Sequence, residues 1–148
     1  MTRISAHKIL EHALCGILAA VYLYAGIAKV GDPLAFADSI AGFRLLPFSW
    51  MITLLALGLP YFELLVAVTL FVPSWRRAGL LAVGVMSVVF IVALTSAWSR
   101  GIAADCGCFG KGEMTAWSIP LAIVRNVVML LISVGIYIRL PKPSFASG

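Results

Sequence analysis

The sequence predicts an all-α integral membrane protein: an antiparallel bundle of four transmembrane helices with both termini in the cytoplasm. Hydrophobic residues make up 62% of the chain and charged residues only 11%, whereas a soluble domain is roughly half apolar and about a quarter charged. The hydrophobic residues also gather in four runs, each close to the roughly 20 residues that a membrane helix needs. Because lipid offers the backbone no hydrogen-bond partner, each run is predicted to be helical.

The four predicted spans cover about residues 10–29, 51–72, 78–98 and 119–138. The first follows a basic N-terminal segment, as a signal peptide does, but it runs on to Lys29 without an obvious cleavage site, so we expect it to remain. The short link "PSWRRAG" makes the second and third spans antiparallel neighbours. We therefore expect one membrane domain over residues 1–140 and a flexible tail over 141–148.

Basic residues are distributed unequally between the two sides of this predicted bundle. One side carries four bases and four acids, while the other carries six bases against Glu11 alone. Those six bases are Arg3, Lys8, Arg76, Arg77, Arg139 and Lys142. Because basic loops stay in the cytoplasm, both termini are predicted inside, and residues 30–50 and 99–118 form loops that face the periplasm of a bacterial inner membrane. Topology then accounts for the net charge of +5, and we expect no nucleic-acid partner.

Two cysteines, Cys106 and Cys108, stand one residue apart in "ADCGCFGKG". A disulfide between them would close a very short loop, which removes little entropy from the unfolded chain and so stabilises little. Gly107 permits the turn that such a bridge requires. Strained disulfides are often the catalytic ones, and disulfides persist in the periplasm. We interpret the pair as a catalytic, reversible redox couple.

Two other interpretations of the cysteine pair remain open. The thiols could have no role, or two thiolates could bind a soft ion such as Cu(I) or Hg(II). A resident zinc site is not expected, because zinc needs four ligands and the histidines, His7 and His12, lie at the opposite end of the predicted bundle. Cys15 lies within the first span and is expected to be a packing residue.

Charged residues also mark the membrane spans. Glu63 and Arg125 lie within apolar runs, Lys29 ends the first span, Arg100 ends the third, and Asp105 directly precedes the cysteines. Charges inside a membrane cost free energy, so we expect Glu63 and Arg125 to face the bundle interior. They could form an ion pair that only fixes helix packing. Alternatively, all five residues support the thiols, since cations stabilise thiolates and acids relay protons.

Oxidation of two thiols to a disulfide requires an electron acceptor. Forming a disulfide releases two electrons and two protons, so a redox site in a membrane needs an acceptor. The sequence contains no haem, flavin or nucleotide motif. We therefore expect no covalent cofactor, and a membrane quinone as the acceptor.

Three stretches together resemble a known family: "YAGIAKVGDPLAFADSIAGFRLLP", "LPYFELLVAVTLF" and "RGIAADCGCFGKG". They are similar to the DoxX-like membrane proteins and, within these, to the MauE branch of methylamine-utilisation proteins. The resemblance implies a four-helix membrane protein that assists periplasmic thiol chemistry in the maturation of methylamine dehydrogenase, with links to quinones. There is also a loose similarity to the vitamin K epoxide reductase family, which uses CxxC where this chain has CGC.

The expected function is thus that of an inner-membrane thiol–disulfide redox protein, linked to a quinone. Its expected partners are membrane lipid and a periplasmic protein, either thioredoxin-like or a substrate of disulfide formation. Two alternatives remain at this point. The chain could be a non-catalytic anchor or scaffold subunit of a redox complex, or it could be a soft-metal transporter.

Overall fold

The computed structural model describes residues 6–102 and 118–140, and within them it contains five α-helices and no strand. The helices are α1 (Ala6–Gly31), α2 (Pro33–Gly42), α3 (Ser49–Phe71), α4 (Arg76–Ser99) and α5 (Ser118–Arg139). All except α2 are long and apolar enough to cross a membrane. The predicted all-helical fold with four long apolar helices is confirmed. Asp105, Cys106, Cys108 and the predicted tail 141–148 lie outside the described residues.

The surface of the bundle is apolar and several polar side chains lie inside it. Large hydrophobic side chains are exposed on every long helix, including Ile17, Leu54, Val92 and Leu121. Ser87, Asn126 and Ser133 are buried instead. An apolar surface of this extent is stable only where lipid covers it. The chain is therefore a multi-pass membrane protein.

The long helices pack most closely as two pairs, α1 with α3 and α4 with α5. The turn between Phe71 and Arg76 joins α3 to α4 and makes them antiparallel. A buried core of Leu18, Val66, Leu80, Val83 and Met129 connects the two pairs. We call the end at which α4 stops and α5 starts the α4–α5 end, because the segment containing Cys106 and Cys108 joins these two helices.

The last turns of α1 lie against the middle of α3 rather than against its start. A Cβ atom added to Gly26 would lie 2.9 Å from the Leu64 side chain and 3.1 Å from the Pro60 carbonyl oxygen. Pro60 is about 16 Å along α3 from Ser49, at 1.5 Å per residue. Glycine therefore permits a close approach that sets the position of α1 along α3.

The short helix α2 covers the first half of α3. Phe36 and Ile40 of α2 share one cleft with Leu55 and Leu59 of α3. The sequence predicts only a loop at residues 30–50, and the structure differs here. The prediction of helices rested on apolar runs long enough to span a membrane, and the ten residues of α2 are too few for such a run.

Local signals nevertheless explain why α2 forms. Asp32 is the N-cap of α2, and its side chain accepts a hydrogen bond of 3.1 Å from the backbone N–H of Ala35. Pro33 follows at the first helical position, where proline is favoured. Arg44, just past the end of α2, has a φ of +49°. The Arg100 guanidinium donates to the carbonyl oxygens of Phe43 (2.6 Å) and Arg44 (3.3 Å). It thereby ties the end of α4 to the end of α2.

Candidate functional site

A buried ion pair lies near the middle of α3. Nζ of Lys29, in the last turn of α1, donates to Oε1 of Glu63 over 2.5 Å. Each residue is only 2% exposed. Glu63 lies about 21 Å along α3 from Ser49. The pair therefore links α1 to α3 far inside the bundle.

Two aromatic rings also contact the Lys29 ammonium. Nζ lies 4.9 Å from the ring centre of Phe36 in α2 and 5.4 Å from that of Phe90 in α4. At these distances the negative face of a ring attracts a cation, and the attraction is stronger where water is excluded. Lys29 thus contacts α2, α3 and α4 at once.

A small cavity of about 20 Å³ adjoins the ion pair, which is room for about one water molecule. Arg125 and Asn126 of α5 line it together with Tyr22, Lys29 and Glu63. The Asn126 side chain donates to the carbonyl oxygen of Ala122 over 2.8 Å. Polar groups from α1, α3 and α5 therefore meet in one place, which we call the charged cluster (Tyr22, Lys29, Glu63, Arg125 and Asn126).

Burying the charged cluster costs free energy, so the cluster is an inefficient way to stabilise the bundle. Removing two ions from water costs several kcal/mol per ion, and well-packed apolar residues often stabilise a protein as much as a buried ion pair does. An ionisable residue inside a membrane span is for this reason a candidate functional residue. With an acid, two cations and space for a water molecule, the cluster has the groups that proton transfer needs.

The structure separates the residues that the sequence singles out. Lys29, Glu63 and Arg125 line one cavity. Arg100 is elsewhere, exposed at the α4–α5 end, where it binds backbone carbonyls. Asp105, Cys106 and Cys108 lie outside the described residues, so their predicted roles stay predictions. Cys15 is buried in the core near the opposite end, among Leu18 and its neighbours.

Sequence reasoning did not identify Tyr22, Asn126, Phe36 or Phe90 as members of this site. Asn126 could have been identified from the sequence, because it directly follows Arg125 within an apolar run. A polar side chain inside a membrane span costs free energy unless it forms hydrogen bonds within the protein. The aromatic residues could not have been identified, since phenylalanine and tyrosine are ordinary in an apolar span. Within the described parts of the chain, no three His, Cys, Asp or Glu side chains lie together as a metal site would require.

Comparison with known proteins gives a consistent match. The family model described as methylamine utilisation protein MauE matches residues 7–139. Methylamine utilization protein MauE of Paracoccus denitrificans is 32% identical over 138 residues, which cover 91% of this chain and 72% of the relative. The protein of that name from Methylorubrum extorquens is 33% identical over 120 residues, covering 79% of this chain and 62% of the relative. This chain therefore spans less than two thirds of the second relative. No solved structure matches.

Proposed function

This chain belongs to the MauE family, and on that premise we propose that it is a thiol–disulfide redox protein of methylamine utilisation, located in the bacterial inner membrane. Cys106 and Cys108 form a reversible disulfide at the periplasmic face. The oxidised pair accepts electrons from thiols of a periplasmic partner, whose own disulfide forms. A membrane quinone reoxidises the cysteines. The family match over residues 7–139 supports the pathway.

The charged cluster is the observation that carries the redox proposal. Lys29 and Glu63 are each 2% exposed in a largely apolar bundle, and such a pair is retained at a cost in folding free energy. The two cysteines provide two electrons and two protons per turnover. A buried carboxylate beside two cations and space for water can pass those protons between the thiols and the acceptor.

The reaction balances without a further reagent. Cys106 and Cys108 lose two protons and two electrons as their sulfur–sulfur bond forms. The quinone takes up both electrons and both protons and becomes a quinol. The partner's two thiols then reduce the Cys106–Cys108 disulfide through a mixed disulfide, by attack of a thiolate on one sulfur. Net, the partner is oxidised and the quinone is reduced.

Growth on methylamine tests the proposed function. A strain that lacks its own MauE receives wild-type protein, a Cys106→Ser/Cys108→Ser variant or, as a matched control, Cys15→Ser. We expect wild type and Cys15→Ser to restore growth and the double variant to fail, with equal protein levels in the membrane. Growth supported by the double variant would instead favour the anchor or scaffold role, in which the cysteines are passive.

Trapping of the partner adds a second readout. With Cys108→Ser, the Cys106 thiolate can attack the disulfide of the oxidised partner, in the reverse of the proposed exchange; the mixed disulfide that forms then persists, because the second thiol of the pair is missing. We expect a covalent adduct that disappears on reduction and is missing from the double variant. The partner's identity is read from the adduct by mass spectrometry.

A further inference from the structure

An apolar groove runs along the surface of the bundle between α4 and α5. Its volume is about 370 Å³, within the range of about 300–1,000 Å³ typical of small-molecule sites. Leu81, Val85 and Val88 of α4 and Val134 of α5 line it and are exposed, and the exposed side chains of these helices face lipid. The groove is therefore open to the bilayer, and its occupant is a molecule that dissolves in the membrane.

The lining of the groove suits an alkyl chain. Among the described residues that line it, only Ser133 and Tyr137 carry a polar side chain. The Ser133 hydroxyl is buried in the floor and donates to the carbonyl oxygen of Leu80 over 2.5 Å, and Tyr137 lies at one end. Gly84 adds no side chain to fill the space, since even an added Cβ would lie 3.8 Å from Leu130 and from Ser133. Between its ends the groove thus offers no exposed hydrogen-bonding group, and an alkyl chain needs none.

The groove has the length of one acyl chain in one leaflet. From Leu81 to Val89 it extends about 12 Å at the helical rise of 1.5 Å per residue, and half of a bilayer's hydrocarbon core is about 15 Å thick. Leu81 lies five residues after Arg76, where α4 starts. Trp75, directly before α4, is exposed, and exposed tryptophans mark the level of the lipid headgroups. A chain in the groove therefore has its headgroup level with the first turn of α4.

Arg77 lies in that first turn, at the end of the groove. It precedes Leu81 by four residues and Val88 by eleven, so these three residues share one face of α4. The guanidinium carbon of Arg77 lies 5.5 Å from the ring centre of Tyr137, which lines the groove at the same end. The groove therefore ends at a cation.

The charge of Arg77 has no acidic partner in the described part of the chain. Nη2 donates to the carbonyl oxygen of Leu140 over 2.6 Å, which is a neutral acceptor, whereas Lys29 is paired with Glu63. By sequence, six bases and Glu11 alone belong to this side of the bundle. Arginine carries five N–H donors and binds a phosphate through two of them at once. A phosphate is thus the anion that suits this end of the groove.

We propose that the groove between α4 and α5 binds an anionic phospholipid, with one acyl chain between the two helices and the phosphate on Arg77. Basic residues between membrane helices bind anionic headgroups in this way. A zwitterionic phospholipid has the same chains and phosphate but also carries a cation, so Arg77 favours the anionic headgroup. The groove shares no lining residue with the cavity of the charged cluster, and the proposal does not depend on the redox function.

Lipid titration followed by native mass spectrometry tests the site. The purified full-length protein in detergent is titrated with dioleoyl-phosphatidylglycerol or, for comparison, with dioleoyl-phosphatidylcholine, at a salt concentration that screens charges not in direct contact. The dissociation constant of the first bound lipid is measured for each. We expect the wild type to bind the anionic lipid about tenfold more tightly, and equal affinity for the two lipids would contradict the proposal.

Arg77→Gln tests the cation at the end of the groove, and Arg76→Gln is its matched control. Arg76 carries the same charge and also donates to a carbonyl at the end of a helix, that of Leu70 (3.3 Å), but it contacts His12 of α1 (3.4 Å) rather than α5. We expect Arg77→Gln to lose the preference for the anionic lipid and Arg76→Gln to stay within about twofold of wild type. An equal loss in both variants would show diffuse attraction to a basic surface and would overturn the site.

Val134→Trp tests the groove itself by filling it from α5. Val128→Trp is the control, because Val128 is about equally exposed on α5 (48% against 45%) and does not line the groove. We expect Val134→Trp to weaken binding of both lipids about tenfold and Val128→Trp to stay within about twofold of wild type. Both side chains face lipid, so both variants should fold even if Arg77→Gln does not.

Unchanged lipid binding by Val134→Trp would overturn the proposal. So would dimers of the wild type that Val134→Trp disrupts and Val128→Trp does not, because they would assign the groove to a second copy of this chain.

Discussion

At the scale of residues, the Lys29–Glu63 pair is the feature with the greatest consequence. It is buried, links α1 to α3 and contacts the rings of Phe36 and Phe90. Two accounts give it different roles: an ion pair that only fixes packing, or a group that moves protons. The two accounts differ in what happens when both charges are removed together, because packing can be restored by apolar residues and proton transfer cannot.

We therefore predict opposite outcomes for stability and for function. Lys29→Met or Glu63→Leu alone leaves a charge buried and should lower the free energy of unfolding by about 3–5 kcal/mol. The double variant Lys29→Met/Glu63→Leu should recover most of that loss. Its rate of cysteine oxidation by quinone should still fall about a hundredfold, because the proton-transfer group is gone.

The measurements are denaturation in mixed micelles and a stopped-flow rate of disulfide formation. A double variant that is stable and also oxidises its cysteines at the wild-type rate would show that the pair serves packing alone.

At the scale of elements, the contact of α1 with α3 sets the site. Gly26 allows α1 to approach Pro60 and Leu64, one turn before Lys29. Any side chain at this position must push the helices apart or displace Leu64. The depth at which Lys29 meets Glu63 therefore depends on a glycine.

We predict that Gly26→Val destabilises the bundle by about 1–3 kcal/mol through overpacking. Gly16→Val is the matched control, since it makes the same change in α1 where nothing lies within 4 Å of an added Cβ. That control should change stability by no more than about 0.5 kcal/mol. Both are compared by thermal unfolding in detergent, and equal effects would mean that helix propensity, not the Gly26 contact, governs the loss.

How far these elements could be predicted depends on the range of the interactions that form them. The four long helices follow from hydrophobicity alone, because lipid forces backbone hydrogen bonds to close within each segment. Asp32 and Pro33 marked the start of α2 as well, but a short helix leaves no membrane-length pattern. Lys29 and Glu63 are 34 residues apart, and their pairing depends on how far α1 runs along α3. That register is a property of packing and is not visible in either segment.

At the scale of the whole molecule, the orientation in the membrane determines what the cysteines can reach. The excess of basic residues on the side of the termini predicts that the segment between α4 and α5 faces the periplasm. Cys15 is buried in the opposite half of the bundle, so a thiol reagent should report on Cys106 and Cys108.

We predict that a membrane-impermeant maleimide labels Cys106 and Cys108 in intact spheroplasts after mild reduction. The Cys106→Ser/Cys108→Ser variant, which retains Cys15, is the control and should stay unlabelled. Labelling that appears only after the membranes are broken would place the pair on the cytoplasmic side and remove its access to a periplasmic partner.

The most direct measurement of the central claim is electron transfer from the cysteines to a quinone. Purified full-length protein in proteoliposomes is reduced, freed of reductant and mixed with decylubiquinone; the thiols are then trapped by alkylation and the quinol is measured by absorbance. The account predicts that each Cys106–Cys108 disulfide formed is matched by one quinol, and that Cys108→Ser forms neither. Thiols that stay reduced while the quinone stays oxidised would contradict it.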